Sequence, residues 1–235
     1  MSAYLFNAIF RILVWCGLGV LIAILINKLR NIEPEARSFM YSMIIYFVFE
    51  VVGTIFIFIY NNLANFVIDV SNPALIWNVV GQLIVLLGPV YLIFVLEKRM
   101  FEKPLIKEKH VVTILEVVLF VPVVVGGLLI FYGIFDFNLF FILIVGFMGL
   151  QGIFFSFGFL YLGLKTPGAY RKNALLVSFG YSIRLGASAF AGYAVFQYNQ
   201  GFITIDPFLI MLGINQIVSF IGIVVLTYGL LKLYK

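Results

Sequence analysis

Apolar residues come in seven long runs, and the polar ones gather between them. The runs cover about residues 8–27, 38–60, 73–97, 111–133, 139–164, 173–197 and 207–231. Each holds the roughly 20 residues that a helix rising ~1.5 Å per residue needs to cross a hydrocarbon core about 30 Å thick. The pattern predicts an all-α fold, a bundle of seven transmembrane helices forming one integral membrane domain over 1–235. The first run has no basic leader and no small-residue cleavage site, and it is too long for a signal peptide, so it is read as retained. Pro89 and Pro122, inside the third and fourth runs, are expected to bend their helices.

Composition agrees, since 64% of the residues are apolar and only 11% charged, a mixture no soluble domain could keep from aggregating. The charges that exist alternate by loop. Lys28, Arg30 and Arg37 lie between runs one and two, Lys98, Arg99, Lys103, Lys107 and Lys109 between three and four, and Lys165, Arg171 and Lys172 between five and six. The loops around Asp69, Asp136 and Asp206 contain no lysine or arginine. The positive-inside rule then puts the N-terminus outside and the C-terminus, with Lys232 and Lys235, inside. Arg11 stands apart, close enough to the outer surface to snorkel. The net charge of +5 is thereby a topology signal. No basic surface element interleaved with aromatics suggests nucleic-acid binding.

Sliding the chain by 134 positions aligns Pro73–Lys98 with Pro207–Lys232 without a gap, and nine of the 26 positions are identical. The informative matches are Pro73/Pro207, Gln82/Gln216, Gly88/Gly222 and Lys98/Lys232. The same shift pairs Arg37 with Arg171 and Glu50 with Arg184; a shift of 133 pairs Gly19 with Gly152 and Pro34 with Pro167. Runs one to three therefore read as a counterpart of runs five to seven. With the fourth run restoring the starting side, the two halves have one orientation: a 3+1+3 parallel internal repeat, with halves 8–97 and 139–232 and a connector helix 111–133.

A 3+1+3 plan with the N-terminus outside resembles the superfamily that includes SWEET and PQ-loop transporters and the microbial rhodopsins. The resemblance rests on architecture. The chain has no Pro-Gln dipeptide, and its seventh run has no lysine before Lys232 to bind retinal. The segment Pro167-Gly-Ala-Tyr-Arg-Lys-Asn-Ala174 is also similar to the start of the sixth helix in seven-helix sensor regions of prokaryotic histidine kinases, although no kinase accompanies it here.

Counting ~1.5 Å per residue from the inner end of each run puts Glu50 and Arg184 both about 17 Å deep. Gln82, Asn215 and Gln216 fall near that level, and Gln151 lies somewhat nearer the inside. Ser42, Tyr46, Glu50, Thr54 and Asn61 share one face of the second run and form a polar stripe expected to face the bundle interior. An ionised arginine in mid-membrane normally faces protein or water and has a partner. Glu50 and Arg184 are thus expected to meet, as an ion pair or through one bridging water or ligand. The layer can be read as a site for a zwitterionic, polar or protonatable ligand, or as a structural lock that only fixes helix packing. Nearer the inner surface, Glu116 is expected to reach Thr113 or the basic loop near Lys109, and His110 to sit at the interface beside charges.

Nothing marks an enzyme, because there is no G-x-S-x-G, no H-E-x-x-H and no carboxylate pair placed for acid/base work. With one histidine and one cysteine, Cys16, no metal site and no cofactor are expected. Three classes remain. One is a carrier for a small polar or zwitterionic solute. Another is a receptor or sensor subunit signalling through a separate protein docked at the basic loop 98–110. The third is a structural subunit of a membrane complex.

Overall fold

A computed structural model describes residues 2–30, 34–63, 72–100 and 110–233. Among them are seven α-helices: α1 (Ala3–Leu29), α2 (Pro34–Leu63), α3 (Leu75–Met100), α4 (Val111–Ile130), α5 (Phe137–Lys165), α6 (Gly168–Asn199) and α7 (Ile205–Leu233). All seven are long and apolar enough to cross a membrane, which fits a polytopic membrane protein. Most reach past the apolar runs that announce them, because a helix goes on satisfying its own backbone after the side chains turn polar. Thus α6 starts at Gly168, a full turn before the apolar run at 173.

The ends of the helices follow local chemistry. The Asn72 side chain accepts a bond from Ala74 N at 2.9 Å, and Asn72 O accepts from Leu75 N at 3.0 Å, so the Asn-Pro turn feeds directly into α3. Past α4 and α6 the chain turns through Gly133 (φ 66°) and Gly201 (φ 72°), left-handed positions that favour glycine. In each case the following amide reaches back to close the helix, Ile134 N to Leu129 O at 3.1 Å and Phe202 N to Gln197 O at 3.0 Å. Pro89 and Pro122 both stay inside single helices. The loop around Asp69 and the basic segment 101–109 lie outside the described residues.

The chain forms two compact units, whose borders cut through α1 and α5. The middle unit is Leu18–Phe147, and the terminal unit joins Met1–Gly17 to Met148–Lys235. In the middle unit α2 packs along α3, and α4 packs on α3. Phe39, Met43, Phe47, Leu86, Leu92 and Ile93 form its core. In the terminal unit α6 packs along α7, around Val177, Tyr181, Ile223 and Leu226, while Phe155 of α5 stacks on Tyr181 with centroids 4.3 Å apart.

Glycines set how closely these helices approach. A Cβ on Gly53 would lie 2.6 Å from Gly81 O, and one on Gly81 would lie 2.6 Å from Gly53 O, so α2 and α3 touch there backbone to backbone. Gly180 and Gly222 do the same for α6 and α7, each Cβ falling 2.7 Å from the other's carbonyl oxygen. A third contact lies on α3. A Cβ on Gly88 would meet Tyr46 O at 3.1 Å and Phe49 Cβ at 3.3 Å, while one on Gly222 would meet Gly180 O at 2.7 Å and Ile183 Cγ2 at 3.3 Å. Residues 46, 49 and 88 become 180, 183 and 222 on adding 134.

Candidate functional site

The candidate site residues read from the sequence, the mid-membrane layer together with Tyr46 and Thr54 of the stripe, are divided between the units. Tyr46, Glu50, Thr54 and Gln82 belong to the middle unit; Gln151, Arg184, Asn215 and Gln216 belong to the terminal unit.

In the middle unit, the stripe on α2 is buried at one end and half-buried at the other. Ser42 and Tyr46 are buried, Tyr46 with its ring and carbonyl against Gly88, while Glu50, Thr54 and Asn61 are half-buried. Several of these hydroxyls serve their own helix. Ser42 Oγ donates to Phe39 O at 2.7 Å, and Thr54 Oγ1 donates to Glu50 O at 2.6 Å. Gln82 is half-buried on α3, one turn from Asn78, a buried residue whose Oδ1 has no hydrogen-bond partner among the described residues.

The terminal unit holds more of the polar interior. Arg184 is 5% exposed and Gln151 2%, and the Arg184 backbone N lies beside Gly222. Ser188 Oγ donates to Arg184 O at 3.1 Å. Earlier on the same helix, Ser178 Oγ donates to Ser156 O at 2.7 Å and Ser182 Oγ to Ser156 Oγ at 3.1 Å, which ties α6 to α5. Gln216 Nε2 donates to Asn7 Oδ1 at 2.8 Å and ties α7 to α1. Asn7 is 3% exposed. The sequence reading passed over it, although Asn7 and Arg11, four apart in the first half of α1, were the available signal.

The second residue missed is Glu97. It is fully buried, and its two carboxylate oxygens receive Val112 N at 2.8 Å, Thr113 N at 3.1 Å and Thr113 Oγ1 at 2.6 Å. These are first-turn groups of α4 that have no partner within their own helix, so a carboxylate from α3 caps α4 across the intervening segment. His110 precedes α4 in the left-handed region (φ 48°), stacks on Phe94 at 4.6 Å, and holds Nδ1 3.9 Å from Glu97 Oε2. The expectation that Glu116 reaches Thr113 is therefore corrected: that hydroxyl and amide belong to Glu97. Glu116 is 5% exposed, and its Oε2 has no hydrogen-bond partner among the described residues. Lys109, its other expected partner, lies outside them.

No family model, no curated protein and no solved structure matches the chain.

Proposed function

We propose that the protein is a carrier for a small polar or zwitterionic solute, set in the cell membrane with its N-terminus outside and its C-terminus inside. Its two halves would form a parallel repeat that rocks around a mid-membrane site. The observation that carries this reading is the shared register at the glycine contacts. Gly88 meets the carbonyl of residue 46 and the side chain of residue 49, Gly222 meets the carbonyl of residue 180 and the side chain of residue 183, and the numbers differ throughout by 134. A repeat seen only as matching letters could be chance among apolar helices, whereas a repeat that also sets equivalent contacts is harder to reach that way. Glu50 and Arg184 each sit one turn beyond the touched residue, so the equivalent positions carry opposite charges, a pattern suited to a solute that carries both.

The test is uptake of radiolabelled zwitterions and polyols into proteoliposomes holding the purified full chain. Accumulation against a leak control is expected. Glu50→Gln and Arg184→Gln should each abolish it, and Thr227→Val should leave it unchanged because that hydroxyl donates to its own helix, outside the candidate site. Saturable binding with no accumulation would replace the carrier by a receptor or sensor subunit.

A further inference from the structure

We propose that Asn215 and Gln216 of α7, braced by Asn7 of α1, bind the primary ammonium group of a small zwitterion. The inference deepens the carrier reading and rests on it for the claim that the bound molecule is cargo. The amide of Gln216 is oriented by its bond to Asn7 Oδ1, 2.8 Å from Nε2. With the nitrogen committed there, Gln216 Oε1 is left buried and without a hydrogen-bond partner among the described residues, and the same is true of Asn215 Oδ1 on the adjacent residue. Two neutral oxygens on successive residues of one helix, shut away from solvent, are costly unless something donates to them. What they can take is fixed by their chemistry. They are strong acceptors without charge, so they suit a group with several N–H donors.

A bare metal ion fits poorly. It would need more oxygens than these, and a negative charge to offset its own. The sequence of the terminal unit contains one acidic residue, Asp206, and it is exposed in the first turn of α7. A cationic ligand held in this unit must therefore bring its own anion, and an ammonium bearing a carboxylate does so. Asn215 is also seven residues from Gly222, on the face of α7 that meets α6, whereas Gln216 meets α1.

Glycine and glycine betaine separate this from the alternatives. The two share a net charge of zero and a carboxylate, but betaine has methyl groups where glycine has N–H. Thermal unfolding of the detergent-solubilised full chain should rise saturably with glycine and not with betaine, which also controls for general solute effects. Asn215→Leu and Gln216→Met should each weaken the glycine response about tenfold or more. Equal responses to glycine and betaine, no saturable response to glycine, or replacement of glycine by sodium ion at constant ionic strength would each overturn the proposal. The first comparison uses the unaltered protein, so it holds even if a variant fails to fold. Glycine binding without proteoliposome uptake would remove the carrier reading and keep the amide site. Uptake indifferent to Asn215→Leu and Gln216→Met would do the reverse.

Discussion

The α2–α3 pair and the α6–α7 pair share one contact spacing, 46, 49 and 88 against 180, 183 and 222, and are pinched at different levels. In α2–α3 the backbones touch at Gly53 and Gly81, whereas the equivalent positions in α6–α7 are Ala187 and Asn215. In α6–α7 they touch at Gly180 and Gly222, whereas α2–α3 has Tyr46 and Gly88 there, and the buried tyrosine ring lies over the glycine. The two pinches are seven residues apart, two turns or roughly 10 Å along the helix. Register and spacing are thus separable properties. Matching positions keep the helices in step, while the placement of glycine decides where room is left for a side chain. Asn215 stands where the other pair closes completely.

The strongest way to break this comparison is to fill the pinches. Gly222→Leu and Gly53→Leu should each cost about 3 kcal/mol, since the added carbon meets backbone that cannot move aside. Gly146→Leu, with nothing within 4 Å of its Cβ, is the control. Unfolding titrations in mixed micelles would measure all three. Equal losses at Gly146 and Gly222 would mean that the close approach is not what those glycines provide.

Next in size is Glu97→Ala. The equivalent position in α7 is Leu231, so only the α3 end has a carboxylate to lose. Its removal strips donors at the start of α4 of their acceptor and should cost about 2–3 kcal/mol in the same titration. Hydrogen exchange should rise at Val112 and Thr113 more than elsewhere. A uniform rise would argue against a cap.

The equivalent glutamines give the smallest effect. Gln216→Leu should cost about 1 kcal/mol by breaking the bond to Asn7, while Gln82→Leu, which breaks no hydrogen bond among the described residues, should fall within error. Equal losses in thermal melting would restore a symmetry that the side chains do not have.

Much of this was legible in the sequence. Seven helices follow from apolar run length alone, and of the residues in the matching glycine contacts the 134-residue offset had singled out Gly88 and Gly222. Depth counting gathered the polar residues, but it could not assign them to units, because the number of turns from a helix end says nothing about azimuth. Asn7 was passed over because it is a short amide just ahead of the first apolar run and its partner, Gln216, lies at the other end of the chain. Glu97 was hidden for a different reason. A carboxylate at the end of one run looks like an interfacial charge until the first turn of the next run is known to lie against it. The pinch at Gly53 and Gly81 left no signal, since glycine is common in such helices and only the partner's backbone gives it meaning.

Glu97 also makes a mechanical unit of two helices. Its three short bonds reach across residues 98–110 to the first turn of α4 and load in parallel when α4 is drawn away along its axis. In a pulling experiment on a single molecule tethered by its C-terminus, α4 should not slip out of the bilayer alone. It should leave together with α3 as one large step in extension, and Glu97→Ala should split that step in two.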